Sequence, residues 1–538
     1  MKRLISLAGL LAVAAIVAAA GSSAANTLCV GGSGCYSTLA AAVVAAQDGD
    51  AIRINPGTYA GGVTIAKSIS LAGAGAQRTT IRGGGPVLTI GTFGAETEPT
   101  VSIDGVTITG GITTTSAQSR AWVGEDGVFA FGGGIEIPPN ADYSSGATVT
   151  LSNSVITGNR ATPTVTLGCS DPCAHFATSG GGGIDSWGTL SVVGSAVRGN
   201  VSGSTPGTAG VASEAVGGGI LSHLSLLTVQ HSEIGNNTAS ATVPNGQFAD
   251  GGGIMVQGGS LIVDTSSVIG NRASLQTSYS NDIETNANAG GIHIDGDDDC
   301  VDPDNCASAS ITASLVSGNS ASVSNSAGDA VAFCGGICND GVVALSHTTV
   351  SGNTVNASSS AGGASADSGG LGQGGPGTIS DSALTNNSVS AVSATGDAVA
   401  QAGGLSSGDQ DVASTISRTT IGGNHVVAWS ASGNAVVFGG GISNGGLLDV
   451  DASDVSHNVA QAKGIAGSAH GGGVWNSDFG GGAGSTMTLT NSSVRNNSLV
   501  GQKGIELSGG GLYNSATVIF GSDVIRSNNP DNCAGVSC

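Results

Sequence analysis

Eleven times along this chain of 538 residues, a Gly-Gly-aliphatic box is followed by an aliphatic-x-x-Asn box, always in that order. The first boxes end at Ile135, Ile184, Ile220, Ile254, Ile292, Ile337, Leu371, Leu405, Ile442, Val474 and Leu512. Their partners end at Asn159, Asn200, Asn237, Asn271, Asn319, Asn353, Asn387, Asn424, Asn458, Asn497 and Asn528. The commonest separation within a unit is 16 residues and the commonest repeat is 34. A fixed internal period of this length marks a stacked repeat architecture, in which each unit buries its apolar face only against its neighbours.

Inside one unit the apolar period is two. Ile254-Met255-Val256, Leu261-Ile262-Val263 and Val268-Ile269 are short alternating runs, broken by Gly258-Gly259 and ended by Asn271. This reads as strand, turn, strand, turn, strand. Helices at these positions would be destabilised by the Gly pairs and β-branched residues. The expected fold is all-β: a single-stranded right-handed parallel β-helix with three strands per turn and rungs stacked at ~4.8 Å. Composition agrees, since 93 Gly with only 3% aromatic residues cannot build one large core. The Gly residues also lack the every-third-position pattern of collagen. Stacking places Asn over Asn, so the Asn boxes predict a structural amide ladder. Asn339, Asn444, Asn476 and Asn514, two residues past the box aliphatic, suggest a second, partial one. The small polar stretches left over in each unit are expected as loops or hairpins at one edge.

The ends differ from the middle. Lys2 and Arg3 followed by apolar Leu4 to Ala20 and small Ser22 to Ala25 read as a secretory signal over residues 1–25. Residues 26–110 are expected to form an N-terminal cap and the first coils. Ser37 is expected to cap a helix over 38–46 whose Leu39, Val43 and Ala46 cover the open solenoid end. Further strands are expected at Val63–Ile65, Ile69–Leu71, Val87–Ile90 and Val101–Thr109. Residues 111–528 carry the repeats, and 529–538 form a C-terminal disulfide cap. The net charge is −22, and loss of a signal carrying two cations makes it more negative. That charge excludes nucleic acid as a partner. No other segment has the ~20 apolar residues of a spanning helix.

Ten Cys in an exported chain predict disulfides. They form the close pairs Cys29/Cys35, Cys169/Cys173, Cys300/Cys306, Cys334/Cys338 and Cys533/Cys538. Cys334 and Cys338 flank Gly-Gly-Ile, a stretch expected to be extended, where their Cα atoms would lie ~13 Å apart. They are therefore expected to pair elsewhere, with Cys300 and Cys306 one repeat earlier as the nearest choice.

These repeats, with the Asp48-Gly49-Asp50…Pro56-Gly57-Thr58-Tyr59 opening, resemble right-handed parallel β-helix proteins of the pectate-lyase-like superfamily. The paired boxes are similar to the repeats of chlamydial polymorphic outer-membrane proteins, with Val, Ile or Leu here in place of their Phe. The resemblance implies the fold and leaves the function open among lyases, hydrolases, adhesins and non-catalytic surface proteins. The Asn-Thr-Asp, Gly-His-Gly and Arg-Ile-Lys clusters expected of polygalacturonase-like enzymes do not occur, and Ala469-His470-Gly471 is read as an incidental near match.

Three groups of residues remain as candidates for chemistry. If the box aliphatics point inward, Glu136 and Asp185 stack on an outward row as solvated carboxylates. At ~5 Å apart, they have the spacing of a retaining glycosidase pair. Trp475 and Tyr513 on the same row form a candidate sugar-stacking platform. Asp295, Asp297, Asp299, Asp302 and Asp304 concentrate oxygen ligands suited to Ca²⁺, which takes 6–8 of them. That loop resembles the calcium loops of thrombospondin type 3 repeats. The resulting expectation is a secreted or cell-surface scaffold for adhesion or glycan contact without catalysis. The alternative is a polysaccharide lyase or glycoside hydrolase on the same fold.

Overall fold

The computed structural model describes residues 25–115, 127–164, 176–204, 212–242, 246–278, 285–296, 307–408, 413–478 and 484–538. The chain is a parallel β-helix. Taking the coil that starts at Ile254, it runs through strands Ile254–Gln257, Ser260–Asp264, Ser267–Ile269, Arg272–Thr277 and Asn286–Asn288. The next coil begins at Ile292–Asp295. In this order the strands of successive coils stack into five parallel sheets, called here first to fifth, of 14, 15, 14, 11 and 11 strands. The box aliphatics share one register, with Ile254 beside Ile292 and Ile292 beside Ile337.

A coil thus has five strands, two more than its strong apolar runs predict. The stretches expected as edge loops form the fourth and fifth sheets, which begin at Ile112–Thr113 and Gly127–Phe131. They pack on each other as a lobe beside the main column. The first three sheets enclose a column of Ile, Leu and Val, whereas the lobe encloses mostly Ala, with Val and a few Leu. In Ser388–Ser393, Val389 and Ala391 are buried while Ser388 and Ser390 face outward. The period is two, but Ala against Ser carries too little hydropathy contrast to announce a strand.

The two boxes meet at the neck between column and lobe. All eleven box Asn residues line this neck, and each Nδ2 donates to the Oδ1 of the next at 2.9–3.1 Å, from Asn159 to Asn528. Each Oδ1 also accepts a backbone N–H from the preceding coil, as Asn353 Oδ1 does from Asn319 N at 3.0 Å. The chain returns past this ladder through the Gly-Gly pair. A Cβ on the second Gly would lie 2.5–3.0 Å from the Nδ2 of the Asn in its own unit, in all eleven units. Contact across the neck therefore couples the two boxes. The second amide ladder is shorter than expected. Asn444, Asn476 and Asn514 bond in series, while Asn339 turns to the carbonyls of Gly375 and Pro376.

A third ladder runs along the corner between the second and third sheets. Ser154, Ser195, Ser232, Ser266 and Ser314 each accept a backbone N–H from the coil before at 3.0–3.1 Å. Thr348, Ser382, Thr419, Ser453 and Ser492 continue it. Each residue stands five positions before its ladder Asn.

Helix α1, Leu39–Ala45, closes the N-terminal end and buries Leu39, Ala42 and Val43. Its cap is Thr38, one residue later than expected, with Oγ1 accepting from Ala41 N at 3.2 Å. Lys67 Nζ donates to the carbonyls of Val43, Val44 and Ala46 at the other end, where the helix dipole favours a cation. The expected strand over 101–109 is two, Thr100–Asp104 and Thr107–Thr109, parted by Gly105 at φ +65°.

Cys29–Cys35 and Cys533–Cys538 are bridged as their spacing suggests. Cys334 and Cys338 overturn the expectation, because they bond to each other with Cα atoms 5.3 Å apart. Phe333 ends one strand, Ile337 begins the next, and Cys334 sits at φ +51° between them. Gly335-Gly336 is a corner, not extended chain. Cys169, Cys173, Cys300 and Cys306 lie outside the described residues.

Candidate functional site

The corner at Cys334 belongs to a series. Between the fifth and first sheets the chain passes a left-handed residue in coil after coil, among them Gly251 at φ +58°, Ala289 at +48° and Ser368 at +64°. The turn is concave, so the outer faces of the two sheets look into one notch that follows the helix axis. Its floor is the row directly after each box aliphatic. Its wall is the row four residues before each box aliphatic, including Phe131, Asp250, Phe333, Asp367, Phe438 and His470.

Glu136 and Asp185 lie on this floor, side by side in register on adjacent coils. They are not solvated, being 3% and 1% exposed, because the fifth sheet leans over the row. Asp185 Oδ1 is 3.0 Å from Nε2 of His223 on the next coil, and Asp185 Oδ2 has no partner. His223 is stacked on Trp187 with ring centroids 4.2 Å apart, and Phe131 meets it edge-on at 6.3 Å. Further along, Phe129, Phe131 and Val216 pack on Leu221 and Met255 and fill that stretch with apolar side chains.

A charged group follows. His293 is 5% exposed, and its Nε2 is 3.0 Å from Asp340 Oδ2. Asp250, 7% exposed, accepts a hydrogen bond from Asn288 N at 3.0 Å. Burial pushes the Asp250 carboxyl up to about 7, against the pull of His293. Burial opposes charge on His293 as well, but Asp340, Asp250 and Asp295 outweigh it and raise the imidazole to about 9. Burial also raises Glu214, and it raises Asp367 to about 6 despite hydrogen bonds from Gln401, Ser368 and Ser406. Carboxyls held near neutrality and carboxylate–imidazole pairs can exchange protons or hold hydrogen-bond donors.

Beside this group lies a cavity of about 540 Å³ lined by Asn286, Asn288, Phe333, Asp340, Asp367 and Ser406. A smaller one of about 290 Å³ lies between Trp187, His223, Gln257 and Asp295. A larger depression, about 880 Å³, follows the Ser/Thr corner on another face; His231 and His347 there are exposed and no buried charge lines it, whereas buried charge lines the notch.

The notch ends in aromatic rings. Trp475 and Tyr513 are adjacent in register, as their spacing predicts. Phe438 lies 4.7 Å from Trp475 and His470 lies 4.4 Å from Tyr513. Phe438 covers Trp475, which is 6% exposed, so the accessible surface of the platform belongs to Tyr513 and His470. Burial lowers the His470 pKa. Asp295 ends a first-sheet strand at the smaller cavity, whereas Asp297, Asp299, Asp302 and Asp304 lie outside the described residues. Among the described residues no cluster of three or more His, Cys, Asp or Glu is placed to hold a metal ion.

Fold and notch together define a parallel β-helix with a polar and aromatic cleft along its axis. No protein-family model matches the chain, and no curated protein matches it. Among solved structures, the mannuronan C-5 epimerase AlgE6 A-module of Azotobacter vinelandii is similar at 14% identity over 84% of this chain and 92% of that one, with a TM-score of 0.29. PfbA, a surface adhesin of Streptococcus pneumoniae, is similar at 11% identity over 91% and 88%, with a TM-score of 0.25. Likeness at this level carries nothing about activity. No helix among the described residues is long and apolar enough to cross a membrane.

Proposed function

We propose that the protein is a secreted or cell-surface β-helix that holds an extended glycan along the notch, as an adhesion or contact scaffold without catalysis. One observation carries this reading: a cleft along the axis with rings at both ends and, on either side of the apolar stretch at Leu221 and Met255, buried, unpartnered polar atoms. Those atoms belong to Asp185, Trp187, Asn286, Asn288, His293, Gln401 and His470. Sugars present ring faces to aromatic side chains and hydroxyls to such groups. Disulfides at both ends support an oxidising, extracellular setting.

The test is binding of the whole chain to a panel of polysaccharides, read by retention on immobilised glycan. Retention should weaken at least fivefold in Tyr513→Ala. Retention of no glycan would end the reading. A second reading, a glycoside hydrolase or polysaccharide lyase, is favoured by the Asp185–His223 and His293–Asp340 pairs. Release of reducing ends from a bound glycan, abolished in Glu136→Gln, would replace the scaffold with the enzyme.

A further inference from the structure

Resting on the glycan-contact reading, we infer that the chain held in the notch is cationic: a polysaccharide of amino sugars with free ammonium groups, in preference to a neutral or uronic-acid polymer. Charge on this β-helix is segregated by face. The described strands of the first and fifth sheets carry Asp185, Glu214, Asp250, Asp295 and Asp367, among other carboxylates, and no Lys or Arg. The cations stand on other faces, as Arg160, Arg272 and Lys463 do on the fourth sheet and Arg198, Arg495 and Arg526 on the third. A uronic-acid chain in this notch would meet like charge on either side of the apolar stretch, with protonated His293 already engaged by Asp340.

The second observation concerns hydrogen bonding. Asp185, 1% exposed, projects from the notch floor with Oδ2 unpartnered, and Asn286 Oδ1, Asn288 Oδ1 and Gln401 Oε1 also lack donors. These are acceptors; the unpartnered donors of the notch are Trp187 Nε1, Gln373 Nε2 and the Nδ1 of protonated His293. An ammonium brings three donors and no acceptor, and bonds to ionised carboxylates are the strong ones. The cavity of about 540 Å³ puts Asp340 and Asp367 on its walls, and Gly372, Gly374 and Gly408 leave part of its lining bare of side chains. Rungs repeat at ~4.8 Å, so carboxylates of neighbouring coils stand within reach of one extended chain.

Titration calorimetry of the whole chain with hexamers of glucosamine, N-acetylglucosamine and galacturonate, and with a Lys hexapeptide, tests this directly. The glucosamine hexamer should bind at least about tenfold more tightly than its acetylated form, the factor that about 1.4 kcal/mol of added contact provides. That preference should shrink as salt rises. It should also shrink in Asp340→Asn and in Asp367→Asn, with unchanged circular dichroism. If a variant fails to fold, the acetylation and salt comparisons on the unaltered chain still decide. Equal affinity for the acetylated form, or preference for galacturonate, would overturn the cationic assignment and leave glycan contact standing. Equally tight binding of the Lys peptide would overturn it in favour of a basic polypeptide. Binding of none of the four would overturn it while the wider glycan panel still judges the parent reading.

Discussion

Replacing Asn353 with Ala should cost the solenoid several kcal/mol, because of where this side chain stands in the neck. Its Oδ1 accepts from Asn319 N and Asn319 Nδ2, and its Nδ2 donates to Val316 O and Asn387 Oδ1, all at 3.0–3.1 Å. Asn353 is 0% exposed, so water cannot replace these bonds. Four bonds at ~0.5–1.5 kcal/mol each give a loss of about 4 kcal/mol. Asn528 makes a comparable set at the open end, where solvent reaches it, and its Ala variant should lose only about 1 kcal/mol. Urea unfolding measures the difference, and hydrogen exchange at the Asn319 amide localises it to the adjacent coils. Equal losses at the two positions, or a loss below ~1 kcal/mol at Asn353, would refute a buried ladder. Gly336→Ala should damage the same place from the other side, since its Cβ would lie 2.4 Å from Gly370 O and 3.0 Å from Asn353 Nδ2.

Three further outcomes are expected. Asp250 and Asp367 hold protons more tightly folded than unfolded, so their support for the fold is complete below about pH 4 and is lost as pH rises through about 6 for Asp367 and about 7 for Asp250. The urea midpoint of Asp250→Asn should gain on that of the unaltered protein between pH 4 and 7, and a constant difference would contradict the burial of this carboxyl. Peptide mapping under non-reducing conditions should recover Cys334 linked to Cys338, with a loss of about 2 kcal/mol in the double Ser variant; a link to Cys300 or Cys306 would restore the extended reading of this segment. Lys67→Ala should speed hydrogen exchange in α1 and the first coil while leaving the later repeats unchanged, because stability in a solenoid is passed between neighbours.

Much of the notch was within reach of the sequence. The floor row, with Glu136, Asp185, Trp475 and Tyr513, follows from counting one residue past each box. The wall row holds an equally constant offset, four residues before the box, and would have brought Asp250, Asp367 and His470 into view. Such an offset has meaning only once those residues are known to lie on strands, and the Ala/Ser alternation conceals that. The Ser/Thr ladder was missed for a related reason: five residues before the Asn its position is regular, but Ser is common throughout the chain.

By itself the amino-acid order determined the coaxial stacking. A register repeated eleven times leaves only one arrangement in which like side chains lie over like, and hydrophobic periodicity is a local property that each unit states for itself. Tertiary structure alone decided the lobe, the enclosure of Glu136 and Asp185, and the pairing of Cys334 with Cys338. Each of these depends on the angle through which the backbone turns between the fifth and first sheets. That angle is set by left-handed corner residues as different as Gly251, Ala289 and Cys334, held by neighbouring coils and not by the preference of any one residue type.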